Sequence, residues 1–232
     1  MFNLQFNEIT PDSLEAAIPL LLLLLAFNGV ATGMALTYAF YARQPHIFQK
    51  GSDGRLPFFS WVLFWPYFLY NYAVLLAWRF FSREPAFAEV EPGLYWGRRL
   101  CWDERRRIAH LEPLAVLDLT AEYAEPEFMR EQGEYLRLPI LDMTPPRHRD
   151  FERALQFIRD HCQRQHVYVH CALGHGRAAA ILAAYLVQQG RCANVAEAEA
   201  WLRARRPGVR LTRAQRKAVA RFLQHCHNRQ PT

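Results

Sequence analysis

The stretch His170-Cys171-Ala172-Leu173-Gly174-His175-Gly176-Arg177 brings a soft nucleophile, two glycines and a guanidinium within eight residues. It follows the β-branched and aromatic run Val167-Tyr168-Val169 and opens into the alanine-rich segment from Ala178 to Val187, which predicts the order strand, loop, helix. The glycines permit a tight left-handed loop whose backbone N–H groups converge, with the positive end of the helix, on one point. An oxyanion binds at such a point, and the same field favours the thiolate of a cysteine at its base. Arg177 closes the loop with a planar fork for two phosphate oxygens. The chemistry implied is hydrolysis of a phosphate ester through a cysteinyl-phosphate. Cys171 is the nucleophile, and Ala172, Leu173, Gly174, His175, Gly176 and Arg177 surround the phosphate.

Spacing alone does not select this site, because the chain has five cysteines and 26 arginines in 232 residues and repeats the interval from Cys101 to Arg107. That second stretch lacks glycine, carries Asp103 and Glu104 where a phosphate would sit, and has no β-type run immediately before it. Context selects Cys171. Through His170, Cys171, Gly174 and Arg177 the sequence resembles the cysteine-based phosphatase superfamily, whose loop reads His-Cys-x-x-Gly-x-x-Arg. The resemblance covers roughly residues 92 to 228, and the short domain with an Asp shortly upstream is similar to the dual-specificity branch. It implies an α/β fold with a dual-specificity-phosphatase-like central sheet flanked by helices. It also implies that His170 supports the site, orienting the loop and tuning the thiolate. One departure is Ala178, at a position where the family commonly places a hydroxyl that stabilises the departing thiolate. The departure leaves room for a slow second step, for a substituting water, or for a catalytically weak phosphoryl-binding adaptor.

The general acid of such chemistry sits on a separate loop that closes over the phosphate. Asp142 fits, between the strand-like run from Tyr135 to Leu141 and the turn-forming Met143-Thr144-Pro145-Pro146. Asp142 or Thr144 also fits a plain helix cap before His148. Asp118 is the second candidate acid, although a strand-end carboxylate also suits an arginine partner. His175 suits either a substrate-facing or a solvent-facing position in the loop. His110, His161, His225 and His227 lack metal-ligand spacing, and Cys162, Cys192 and Cys226 read as small core residues of helices. No metal and no cofactor is implied.

The elements that position this site follow a long apolar region. No charged residue occurs from Ala16 to Ala42 or from Leu56 to Trp78, and each stretch reaches the roughly 20 residues that cross a hydrocarbon core. The sequence therefore predicts an N-terminal tail at residues 1–15 and a two-helix transmembrane hairpin within residues 16–81, with helices at about 16–42 and 56–80. A linker follows at 82–92 and a phosphatase domain at 93–228. Pro66 is expected to kink the second helix, and Gly29 and Gly33 give the first a small-residue face. A signal peptide fits poorly, since Glu8, Asp12 and Glu15 precede the apolar run and no basic residue does. A buried aromatic-rich core helix is the alternative for the second stretch.

For a hairpin the basic residues divide almost evenly, with Arg43, Lys50 and Arg55 in the connection against Arg79, Arg83, Arg98 and Arg99 beyond the second helix. A reactive thiolate and five cysteines without framework spacing place the catalytic domain in the cytoplasm. The excess of 26 arginines over two lysines points to a GC-rich bacterial genome, and so to a multi-pass protein of the bacterial inner membrane. Within the domain the pattern predicts strands at 94–96, 114–119 and 135–141, and helices at 104–111, 148–165, 177–189, 195–205 and 212–227. The net charge of +6 suits anionic headgroups and phosphorylated substrates, and two spans argue against a nucleic-acid partner. Three readings compete. The first is a membrane-anchored dual-specificity or tyrosine-type phosphatase acting on phosphoprotein. The second is a phosphatase for a phosphoinositide or phosphatidylglycerophosphate headgroup, and the third is the adaptor. Partners are accordingly a phosphorylated protein or lipid and the bilayer itself.

Overall fold

Runs of β-branched and aromatic residues form strands where the pattern expects them, and one further strand forms where it does not. The computed structural model describes residues 11–131 and 133–228. Two long helices lead, α1 (Pro11–Ala42) and α2 (Phe58–Phe81). A mixed α/β domain follows with strands β1 (Phe87–Glu91), β2 (Leu94–Arg98), β3 (Leu114–Thr120), β4 (Tyr135–Ile140) and β5 (His166–Cys171). Its helices are the short α3 (Arg105–Ile108) and α4 (Glu127–Arg130), then α5 (His148–His161), α6 (Arg177–Gln188), α7 (Val195–Arg205) and α8 (Arg213–Asn228).

The five strands lie in the order β1-β2-β5-β3-β4. All neighbours are parallel except the β1–β2 pair. Strand β5 is central, flanked by β2 and β3, and every residue of β3 is buried. Helices α5 and α6 cover one face in a continuous apolar core with Leu117, Leu119, Val167 and Val169. This puts Cys171 at the carboxyl end of a buried strand, with the N-terminus of α6 immediately beyond it.

Several expectations are corrected. Residues 82–92 contain β1, an edge strand paired in antiparallel fashion with β2, rather than linker alone. The helix expected at 104–111 is split into 3₁₀ turns at Trp102–Glu104 and Ala109–Leu111 around α3. Helix α5 ends at His161, and Cys192 lies in the turn after α6 rather than on a helix. The expected tail at 1–15 falls partly outside the described residues, and α1 already begins at Pro11.

The two apolar helices pack on the domain as well as on each other. Pro66 has no N–H for the carbonyl of Val62, and α2 departs from helical geometry at Phe64. Asn28 of α1 donates to the freed Val62 oxygen at 3.1 Å and to Leu63, and Thr32 also donates to Leu63. Along α2 the buried positions are Ser60, Phe64, Phe68, Asn71 and Leu75, a single stripe at helical spacing. Phe64 and Phe68 of that stripe join Phe48, Leu56, Ala121 and Leu141 in one apolar cluster. The connection between the helices is itself seated on the sheet: Lys50 is buried against Asp118, and Gly54 accepts a backbone hydrogen bond from Glu125 at 2.9 Å.

Candidate active site

The loop after β5 is built as its glycines require. Gly174 has φ of +78°, and a Cβ there would collide with the Arg206 guanidinium and the Gly97 carbonyl. Its N–H donates to Cys171 Sγ at 3.2 Å, so the sulfur already faces the converging donors. The start of the loop is pinned from just past β2, where the N–H of Arg99 donates to the Cys171 and Ala172 carbonyls at 2.9 and 3.0 Å.

Arg177 is buried at the first turn of α6 and its charge is met from two sides. Its terminal nitrogens donate to both oxygens of Glu122, at 2.9 and 2.7 Å, and to the Ile140 carbonyl at 2.9 Å. Asp142 Oδ1 stands 3.2 Å from Nη2, with its side chain half exposed. Burial disfavours the guanidinium charge, but Glu122 and Asp142 outweigh it and hold Arg177 firmly protonated. The Nε–H is buried and has no partner among the described residues, whereas Nη2 is engaged by both Glu122 and Asp142.

Asp142 sits just past β4 on a turn where Met143 adopts φ of +59° and Thr144 returns a hydrogen bond to Leu141. Gln215 of α8 ties this turn down by donating to the Thr144 carbonyl at 3.2 Å. Gln215 and Thr212 form a reciprocal cap at the start of α8, at 2.9 and 3.1 Å, which fixes that side chain in place. The cavity beside Cys171 measures about 280 Å³ and includes Asp142, Met143, Arg210 and Gln215 in its walls. Tyr123 and three α2 residues, Asn71, Val74 and Leu75, complete them.

Thus Cys171 and Asp142 share one cavity with Ala172, Leu173, His175 and Gly176, and Arg177 joins them through its pair with Asp142. Asp118 does not join them. It is fully buried behind the loop, paired with Lys50 and accepting from Tyr135 at 2.6 Å and from Thr120 at 2.7 Å. Lys50 overcomes the penalty of burial and holds its carboxyl below the usual range. Cys101 caps a 3₁₀ turn whose Asp103 and Glu104 pair with Arg79 and Arg98, so no phosphate cradle exists there.

His170 stacks on Tyr168, and its Nε2 faces Glu125 at 3.5 Å and Asp118 at 3.9 Å. Burial lowers its pKa to about 4, leaving it neutral. Burial, then the neighbouring Asp118, raise Glu125 to about 8. Asp118, Glu125 and His170 lie close enough to share an ion, but Lys50 already supplies the positive charge there. His175 turns its ring to Glu84 and packs edge-on against Trp78 at 5.0 Å, so it lines the cavity as a braced residue rather than a free one.

Sequence reasoning missed Glu122, Arg206 and the α2 wall. Arg206, one of a crowd of C-terminal arginines, is buried and donates to the carbonyls of Leu173 at 3.0 Å and Pro85 at 3.2 Å while pairing with Glu84. It holds the phosphate loop from behind. No local signal separates it from Arg203, Arg205 or Arg210; only its distance from the sheet does. Glu122 was foreseeable in kind, since a buried guanidinium needs a carboxylate, but not in position.

A family model described as PTP-SAK, Swiss Army Knife protein, DSP-PTPase phosphatase domain, matches residues 97–229. Among solved structures, Tk-PTP in its active form is 22% identical with a TM-score of 0.55 over 60% of this chain and 97% of its own. PTPMT1 in complex with PI(5)P is 20% identical, TM-score 0.54, covering 62% and 99%. Human DUSP28 is 18% identical, TM-score 0.52, covering 62% and 96%. These three share the fold of the domain.

Proposed function

Because the chain belongs to the PTP-SAK family of DSP-PTPase phosphatase domains, we propose that it hydrolyses phosphomonoesters through a cysteinyl-phosphate while held at a membrane. The observation that carries the reading is that Cys171 Sγ, with the Gly174 N–H on it, shares one cavity with Asp142, whose carboxylate meets the Arg177 guanidinium at 3.2 Å. In the first step the Cys171 thiolate attacks phosphorus, the bond from phosphorus to the ester oxygen breaks, and Asp142 delivers its proton to that oxygen. In the second, Asp142 takes a proton from water, the water oxygen attacks phosphorus, and inorganic phosphate leaves as the thiolate returns. Backbone N–H groups and Arg177 stabilise the equatorial oxygens in both steps.

The substrate class best suited to the domain is phosphoprotein, including phosphotyrosine, with the catalytic domain on the cytoplasmic face. A lipid phosphomonoester is the second reading, favoured by one observation: Val74 of an apolar helix and Met143, both exposed, line the cavity. Cys171→Ser is expected to abolish turnover and retain phosphate binding, because a serine alkoxide does not form at neutral pH. Arg177→Lys is expected to be crippled as well, since an ammonium lacks the fork. Assay of phosphotyrosyl peptides against phosphoinositide in mixed micelles separates the two substrate readings, and wild-type turnover by Cys171→Ser would refute the mechanism.

A further inference from the structure

We propose that α2 lies in the plane of the membrane surface, between the catalytic domain and the lipid headgroups, and does not cross the bilayer. This rests on the membrane reading above and not on the catalytic one. The two ends of α2 supply the argument. Before its first turn, Lys50 is buried against Asp118 and Phe48 packs in the cluster that holds Ala121 and Leu141. In its middle, Tyr123 donates to the Asn71 carbonyl at 2.8 Å and packs edge-on against Tyr72 at 5.1 Å. At its last turns, Trp78 meets His175 and Arg79 donates to Asp103 at 2.8 Å. The helix therefore runs its full length, about 36 Å, along one side of the domain.

A crossing helix with these contacts would carry Asp118, Lys50, Arg99 and Arg177 to the depth of the hydrocarbon, where ionised groups are strongly disfavoured. It would also separate residues 43–57 from the domain by the thickness of the bilayer, whereas they are seated on it. The opposite face of α2 asks for lipid. Phe58, Val62, Leu69, Tyr70, Phe80 and Phe81 are exposed, Leu69 by 62% and Phe81 by 88%. Rings of this kind concentrate at the boundary between headgroups and acyl chains. Exposed Arg55 precedes α2 and exposed Arg83 follows it, suited to anionic headgroups. The occupant is continuous with α1, which crosses α2 near Asn28 and Val62 and whose leucines from Leu20 to Leu25 are all exposed. That free stretch enters the hydrocarbon. Since Asn71, Val74 and Leu75 wall the cavity, its mouth then opens within about one helix diameter, ~10 Å, of the headgroups.

Two readouts on the full chain test this without using turnover. Ser52→Cys and Arg83→Cys, each compared with the unsubstituted chain in intact and permeabilised cells, are expected to react with an impermeant maleimide from one and the same side. Reaction from opposite sides would overturn the proposal. In vesicles of phosphatidylglycerol and phosphatidylcholine, a fluorophore on Leu69→Cys, at the midpoint of α2, is expected to be quenched at least twofold more by nitroxides near the headgroup than by nitroxides at the chain end. The same fluorophore on Leu23→Cys of α1 is expected to show the reverse order. Deep quenching of Leu69, or none by either lipid, would overturn the proposal, and a protein inactive on every phosphoester still answers both questions.

Discussion

Asp142 and Glu122 compete for the same guanidinium and are expected to fail in different ways. Glu122 grips Arg177 end-on and is buried, whereas Asp142 lies half exposed at the cavity wall. Asp142→Asn is expected to slow hydrolysis of alkyl and aryl phosphates by about 10²-fold or more, with much less effect on esters with very good leaving groups. Glu122→Gln leaves Arg177 misplaced, and is expected to cost about 10²-fold on good and poor leaving groups alike. Steady-state rates across a leaving-group series distinguish the two. Ala178 is fully buried at the second position of α6 and offers the departing thiolate no hydroxyl, although the Gly174 N–H is already on the sulfur. If breakdown of the intermediate limits turnover, Ala178→Ser raises kcat and the natural protein shows a burst on rapid mixing. Absence of both would show that the first step is limiting. At this scale the candidate site was legible where its residues are local: Cys171, Gly174 and Arg177 fall in one loop, and Asp142 lies shortly before two prolines. Glu122 was hidden because its role depends on two chain segments 55 residues apart meeting at the end of β3 and the start of α6.

The phosphate loop is positioned by elements that carry no chemistry. Arg206, at the end of α7, fastens Leu173 to Pro85 and Glu84 ahead of β1, so the outermost strand and the last third of the chain meet behind the loop. Arg206→Met leaves Glu84 without its buried guanidinium and is expected to destabilise the protein by about 3–5 kcal/mol in denaturant unfolding. Gly174→Ala is expected to abolish phosphate binding, since neither the Arg206 guanidinium nor the Gly97 backbone can yield to a Cβ at that φ. Phosphate titration followed by calorimetry checks this directly. The central strands β3 and β5 and helices α5 to α8 were legible because each is a β-branched run or a helical repeat of apolar positions. Strand β1 was not. Pro85 and Pro92 bracket it, Glu89 and Glu91 lie on it, and as an edge strand with a single neighbour it needs little hydrophobicity.

Across the whole molecule, the N-terminal helices and the domain share one electrostatic interior. Asp118, Glu125 and His170 are buried together beneath the loop, and Lys50 reaches them from the connection between α1 and α2. Glu125, protonated up to about 8, binds a proton that the unfolded chain releases near 4.5, so its contribution to stability falls as pH rises through that interval. His170, with a pKa of about 4 against an ordinary 6.5, opposes this trend between those two values. Well above pH 6.5, Glu125 is the one of these two that still changes protonation. The melting temperature is therefore expected to fall between pH 6.5 and 8, and Glu125→Gln to flatten that slope. The apolar character of residues 16–81 was plain in the sequence, but not their docking, because nothing in a run of phenylalanines says whether lipid or protein will cover each side. Lys50 shows what the docking entails. A fragment beginning at Glu89 keeps every residue proposed to touch the phosphate but lacks the ammonium beside Asp118, one strand away from the residue preceding Cys171. It is expected to melt at a lower temperature than the full chain and to recover part of the loss with Asp118→Asn. If the chain is held at a membrane as proposed, proteolytic release would then not liberate an intact soluble domain: the cut that frees it also removes a piece of its interior.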